Sequence, residues 1–233
     1  MHKIALSQAA HDRMTARTGK LHPFDAIAPR RAALIVIDMQ NYFCKPGHQG
    51  EVPASRAIVP NINRLAADLR RRGGLVVWVR NGTSDTRESW SNYHDYLHTP
   101  ERCARRYAAM DIGGDGYEYW HLNDIRPEDA KVTKTRYSAF IQGSSNIEPL
   151  LRERGIDTLL IAGTATNVCC ESSARDAMML NFKVVMLSDA TATHNDEEHN
   201  AALSIFYGLF GDVQTVDEAI QSLERGDKAR AAA

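Results

Sequence analysis

AALIVIDM, residues 32–39, is the stretch whose reading decides the fold. It is apolar without a break as far as Asp38, and Ile35, Val36 and Ile37 are β-branched. A strand with one wet face alternates apolar and polar residues. A continuous apolar run of this length suits a strand buried on both faces, as in a parallel sheet covered by helices. The same character returns in LVVWV (75–79), TLLIA (158–162) and KVVML (183–187), and more weakly in AKVT (130–133) and DVQTV (212–216). The intervening segments have helical period. Across 58–72, Ile58, Ile62, Leu65 and Leu69 share one face, and Gly73-Gly74 stops the run. Segments 147–154, 169–180, 199–210 and 216–225 read as further helices. Alternating strands and helices form βαβ units with right-handed crossovers. The expected fold is α/β and Rossmann-like: a three-layer αβα sandwich around a mainly parallel sheet of roughly six strands.

A chain of 233 residues holds one such core rather than two. Residues 1–30 read as an N-terminal arm, extended or briefly helical, available for subunit contacts. Residues 31–227 read as a single domain. An insertion at 82–123 interrupts the rhythm with Trp90, Tyr93, Tyr96, Tyr107, Tyr117, Tyr119 and Trp120. It is too long for an ordinary connection. It reads either as a lid or pocket wall, or as a surface packed on another subunit, and the sequence leaves both open.

Composition narrows the function. The formal net charge is -1, so there is no basic excess to hold a polyanion, and no nucleic-acid partner is expected. No apolar run approaches the roughly 20 residues of a membrane helix, and no membrane partner is expected. The first twenty residues lack the apolar segment of a secretory leader, which implies a cytoplasmic location where thiols stay reduced. The four cysteines are Cys44, Cys103, Cys169 and Cys170, without a Cys-x-x-Cys spacing. They are core fillers or reactive thiols. A small-molecule substrate is the expected partner.

In an open α/β sheet, ligands bind beyond the carboxyl ends of the strands. That rule selects residues before any motif does. Asp38 ends the first strand, Arg80-Asn81-Gly82 follow the second, Lys134 follows the third, and Gly163–Cys169 follow the fourth. Each residue alone has an ordinary reading: a turn aspartate, a solvated lysine, a core cysteine. Together they bring an acid, an amine and a thiol to one edge. Cys169 opens a helix, and a helix N-terminus beside an ammonium lowers a thiol's pKa, so the sulfur is expected to be held as an anion. Cys170 lies one position further round and points elsewhere, into the core. Asp38 is placed to exchange a proton with the thiol and the leaving nitrogen. The 163–169 loop offers backbone N–H groups for an oxyanion.

At these residues the chain resembles the isochorismatase-like cysteine hydrolase superfamily. The matching pieces are IVIDMQNYF (35–43), KTRYSAF (134–140) and LLIAGTATNVCCESSARDAMMLNFKVVMLSDAT (159–191). The resemblance implies a Cys–Asp–Lys triad of Cys169, Asp38 and Lys134, and a homodimer or homotetramer. It also implies a cis peptide between Thr164 and Ala165, and an oxyanion hole from the N–H groups of Ala165 and Cys169. Two departures are small: Cys170 stands where the family often has valine, and Ser172-Ser173 replaces a more usual pair. The branch that cleaves a vinyl ether lacks the nucleophilic cysteine, so Cys169 argues against it. Nicotinamidases carry an Asp-x-His metal site. No such tripeptide occurs here, so neither metal nor cofactor is expected. The pieces look closest to ureidoacrylate amidohydrolases, with biuret, triuret and N-carbamoylsarcosine hydrolases near. That implies cleavage of a ureido or carbamoyl C–N bond. Another small amide, maleamate-like or nicotinamide-like, is the alternative, and a thiol sensor without catalysis is a third reading.

A planar ureido group needs donors and acceptors. The polar candidates are Asn41, Asn81, Asn92 and Tyr137, with Gln40 beside them, and Phe43 is expected to touch the substrate as well. A carboxylate on the substrate would want a cation, and Arg80, Arg105 and Arg106 are available. The sequence does not choose among them.

Overall fold

The computed structural model describes residues 1–84 and 86–231. In chain order the elements are α1 (Gln8–Thr18), β1 (Ala32–Ile37), α2 (Asn41–Cys44), α3 (Ser55–Arg71) and β2 (Leu75–Asn81). They continue with α4 (Thr86–Ser89), α5 (Ser91–Tyr96), α6 (Pro100–Met110), β3 (Ala130–Lys134), α7 (Ile147–Glu153) and β4 (Thr158–Thr164). The last are α8 (Glu171–Met179), β5 (Lys183–Ala192), α9 (Asp196–Leu209), β6 (Asp212–Gln214) and α10 (Val216–Ala231).

The six strands form one parallel sheet in the order β3-β2-β1-β4-β5-β6. β1 is buried at every residue, and its neighbours alternate between two cores. Ile35 and Ile37 join α7, α8 and α9 on one face, through Leu151, Ala174 and Phe206. Leu34 and Val36 join α3 and α10 on the other, through Ile58, Leu65, Ala219 and Leu223. That is the two-sided burial an unbroken apolar strand requires. The α/β three-layer sandwich expected from the strand pattern is the fold observed.

Chain order reverses between β1 and β4. The chain winds outward through β2 and β3, then returns to start again at β4. A crevice opens beyond the carboxyl ends at such a switch point.

Several boundaries differ from the sequence reading. β1 ends at Ile37 because Asp38 takes a left-handed backbone, φ 55°. β5 runs to Ala192, where its register with β4 slips across a bulge between Ile161 and Gly163. A five-residue π-helical turn, Thr166–Cys170, precedes α8, so the winding begins three residues before Cys169. Residues 1–30 contain one α-helix, α1. Ser7 caps α1 by accepting the Ala10 N–H, and Ala10 and Met14 bury in the core that α9 shares. Within the insertion, α4, α5 and α6 fold over the carboxyl edge of the sheet. The insertion returns through a single bridge between Gln40 and Tyr119.

Gly163 holds β1 and β4 together at the switch point. Its φ is 113°, and a Cβ there would lie 2.0 Å from the Ile37 carbonyl oxygen. Replacing it with alanine is therefore expected to cost about 3–5 kcal/mol, read as a lowered midpoint in thermal or urea unfolding. An unchanged midpoint would show that the two strands can separate without penalty.

Candidate active site

Asp38 leaves the sheet but stays anchored to it. Its N–H donates to the Val79 carbonyl at 2.8 Å, and its own carbonyl accepts the Gln40 N–H at 2.8 Å. The left-handed backbone throws its carboxylate over the strand ends, a conformation aspartate tolerates better than most residues. Lys134, last residue of β3, reaches across from the other side of β2. Its Nζ lies 2.8 Å from Asp38 Oδ2, 3.0 Å from the Arg136 carbonyl oxygen and 3.4 Å from Cys169 Sγ. An ammonium has three N–H groups, and here three acceptors surround it. Asp38 and Lys134 are both fully buried.

The Asp38 contact is an ion pair between two fully buried side chains. Both carboxylate oxygens lack a hydrogen-bonded donor among the described residues. Burial opposes the charge on Lys134, but the Asp38 carboxylate and the Cys169 sulfur outweigh it, and its pKa is raised.

Cys169 lies in the π-helical turn and lines a cavity of about 220 Å³. Its thiol pKa is pushed up to about 12, first by burial and then by the Asp38 charge, against the pull of Lys134. This corrects the sequence reading of a stored thiolate. A helix start and an ammonium lower a thiol pKa in water, but burial beside a carboxylate favours the neutral form. Cys170 faces the core, fully buried, with its sulfur 3.9 Å from the Ala162 carbonyl oxygen.

The turn carrying Cys169 is pinned from below. The Thr164–Ala165 peptide is cis. The Ala165 carbonyl accepts the N–H groups of Val168 and Cys170, both at 3.1 Å. Thr166 Oγ1 lies 2.8 Å from His199 Nδ1, while His199 Nε2 lies 3.0 Å from the Ser188 carbonyl oxygen. Since a carbonyl only accepts, Nε2 carries the proton and Nδ1 accepts from the threonine hydroxyl. Burial lowers the His199 pKa to about 4, so the ring is neutral and locked in that tautomer. Nothing in the sequence marked His199, because its value lies in where α9 packs.

The structure sorts the remaining candidates. Phe43, Asn81, Tyr137, Ala165 and Cys169 all line the cavity. Asn81 Oδ1 accepts from Arg106 at 3.0 Å. Tyr137 packs edge-on against Trp90 and Tyr93. Asn41 and Asn92 do not line it. The Asn41 amide is spent on Asp115, donating to its carbonyl and carboxylate at 3.1 and 3.3 Å. Asn92 is exposed on α5, whose next residue, Tyr93, turns inward, since one helical step rotates a side chain by about 100°. Gln40 is buried as a clamp, accepting the Asn81 N–H at 2.7 Å and donating to the Asn81 carbonyl at 3.0 Å. The sequence reading passed over Tyr42, Gln49, Arg102 and His194, which also line the cavity. They come from a one-turn helix, from loops and from the insertion, and which of their side chains face the cavity is set by tertiary packing. Among the described residues, no group of three His, Cys, Asp or Glu is placed to hold a metal ion. No helix among them is long and apolar enough to cross a membrane.

A parallel sheet with a buried acid, lysine and cysteine at its switch point places the chain in a recognisable class. The chain belongs to the isochorismatase domain family, which residues 32–218 match. A ureidoacrylate amidohydrolase, RutB, from Klebsiella pneumoniae subsp. pneumoniae is 32% identical over 213 residues, spanning 84% of this chain and 89% of that protein. A cysteine hydrolase from Pseudomonas syringae pv. phaseolicola superposes with a TM-score of 0.73 at 28% identity, covering 86% of this chain and 95% of its own. An N-carbamoylsarcosine amidase from Thermoplasma acidophilum does so with a TM-score of 0.62 at 25% identity, covering 80% and 97%.

Two outcomes follow from this geometry. Because its pKa is raised, the Cys169 thiol should alkylate slowly at pH 7, with a rate still climbing through pH 10, as followed by mass spectrometry with iodoacetamide. A plateau below pH 8 would mean a stored thiolate. The second concerns the ion pair. Lys134→Met leaves a buried carboxylate without its partner and should cost about 3–5 kcal/mol. Adding Asp38→Asn should recover a large part of that loss in urea unfolding.

Proposed function

We propose that the protein is an amidohydrolase that cleaves the C–N bond of a small ureido or carbamoyl compound through a thioester on Cys169. The observation that carries this reading is the Lys134 ammonium, held 2.8 Å from Asp38 and 3.4 Å from the Cys169 sulfur beside a small cavity. The ureidoacrylate amidohydrolase and N-carbamoylsarcosine amidase relatives support the substrate class. The cavity lies below the roughly 300–1,000 Å³ of drug-sized pockets, which agrees with a compact substrate.

In this mechanism the thiol gives its proton to Asp38 as the sulfur attacks the ureido carbonyl. Asp38, paired with Lys134, keeps lone pairs to take that proton, so the nucleophile is made when it is needed. Lys134 stays protonated and offsets the negative charge that moves from carboxylate to sulfur. The N–H groups of Ala165 and Cys169 receive the oxyanion. Asp38 then returns the proton to the departing nitrogen. The C–N bond breaks, an amine leaves, and a carbamoyl group remains on sulfur. Asp38 next takes a proton from water as its oxygen attacks the thioester. The C–S bond breaks, the thiol regains a proton, and carbamate decomposes to ammonia and carbon dioxide. Asn81 and Tyr137 are placed to orient the planar ureido group.

Ammonia release from a panel of ureido acids, biuret, triuret and simple primary amides tests this directly. Turnover of at least one ureido compound is expected, and Cys169→Ser should lower it about a thousandfold or more. Cys170→Val, which fills the same core space, should stay within about threefold of the parent. Failure on every ureido compound together with hydrolysis of nicotinamide would overturn the substrate class.

A further inference from the structure

Arg106 stands out among the buried charges. It projects from α6 into the cavity that Cys169 lines, and only 8% of it is exposed. Among the described residues it makes no ion pair, whereas the comparably shielded Arg70 and Arg72 each hold two or more carboxylates. One terminal nitrogen donates to Asn81 Oδ1 at 3.0 Å, and the buried Nε has no partner. The rings of Tyr42 and Tyr93 lie 5.4 and 5.6 Å from the guanidinium carbon. Those faces attract a cation weakly. Stripping a guanidinium of water costs several kcal/mol per ion, and two ring faces and one amide do not return it.

Arg102 brings a second positive charge to the same wall. His98 and His194 also face the cavity, and among the described residues no aspartate or glutamate lines it. The nearby carboxylate, Asp38, is matched by Lys134. A cavity with a desolvated cation and, among the described residues, no anion of its own is complementary to an anionic ligand. Guanidinium geometry suits a carboxylate, which it grips through two parallel N–H groups.

We infer that Arg106 is the specificity-determining residue of the site, and that the substrate is a ureido acid whose carboxylate it binds while the ureido carbonyl meets Cys169. The assignment rests on the ureido reading above. It excludes neutral ureas such as biuret as preferred substrates, because they would leave the guanidinium without a partner. It also selects among the arginines that the sequence offered. Arg80 lies 4.0 Å over the Tyr117 ring, and Arg105 bonds Gln49 on the exposed side; neither lines the cavity.

The test uses a matched pair, 3-ureidopropanoate and its uncharged amide, 3-ureidopropanamide. Binding is measured by calorimetry to the Cys169→Ala protein, so that no turnover intervenes. The acid should bind at least about tenfold more tightly than the amide. Arg106→Gln should erase that difference, and Arg106→Lys, which keeps the charge without the fork, should restore part of it. The Arg106→Gln protein should unfold at a temperature no lower than the parent, since it loses a buried charge that has no acid beside it. Equal binding of acid and amide, no binding of either, or a preference that survives Arg106→Gln would overturn the inference. So would a lowered unfolding temperature in Arg106→Gln with the preference intact in Arg106→Lys and Arg106→Gln alike, the pattern of a purely structural residue. Turnover of the same pair by the intact protein is scored separately. Selective binding of the acid without ammonia release would reject the ureido chemistry and keep the carboxylate site.

Discussion

An ammonium sealed from water needs an anion, and Lys134 finds one in Asp38 at 2.8 Å. The two residues leave strands that are not neighbours, since β2 lies between β1 and β3. Adjacent strands lie about 4.8 Å apart, so the lysine stem and the aspartate side chain together bridge two such spacings over the end of β2. It can do so because the strands are parallel and in step. Ile37 pairs with Val79, and Asn81 pairs with Lys134, which places all three strand ends at one edge. Cys169 arrives from β4, on the other flank of β1. A shift of register in any of these strands would leave a buried charge without its partner. The ion pair therefore makes the sheet's alignment costly to change, and it sets the sulfur's surroundings as a consequence.

Those surroundings explain why the protonated thiol is favoured. Lys134 alone would favour a thiolate, but Asp38 has already claimed most of its charge. Burial then favours the neutral sulfur. Adding a second anion beside one cation is expensive, while moving a proton from sulfur to carboxylate leaves the total charge unchanged. The arrangement suits a nucleophile produced during attack. The turn that carries it is held by neutral contacts: the Ala165 carbonyl, the Thr166 hydroxyl and a His199 ring kept uncharged by burial.

The cavity wall draws on a different part of the chain. The insertion supplies Tyr93, His98, Arg102 and Arg106 to the cavity wall, while the sheet edge supplies Asp38, Lys134 and Cys169. The reacting groups sit on strands and turns braced by two cores. The wall sits on short helices fastened to the sheet edge by polar contacts, among them the Gln40–Tyr119 bridge and the Asn41–Asp115 contact. A fold of this kind can alter the wall without disturbing the ion pair beneath it.

The sheet and the edge it creates were legible because their signals are local. AALIVI can satisfy its burial only between two layers of helices, and the carboxyl ends of such strands place Asp38, Lys134 and Cys169 on one rim. The boundaries were less legible. Asp38 ends β1 through a backbone angle, and the bulge near Gly163 lengthens β5, neither of which leaves a mark in hydrophobic periodicity. Polar residues near the rim were the least legible. Asn41 and Asn81 look alike in sequence, yet one is consumed by Asp115 and the other faces the cavity.

By itself, then, the sequence determined the layering, the parallel order of chemistry along one edge and the inward turn of Cys170, because each follows from which side chains must escape water. Only the tertiary structure decided the protonation of Cys169, the pinning role of His199 and the isolation of Arg106. Those properties are set by charges and dielectric contributed from distant segments, and no single stretch of chain contains them.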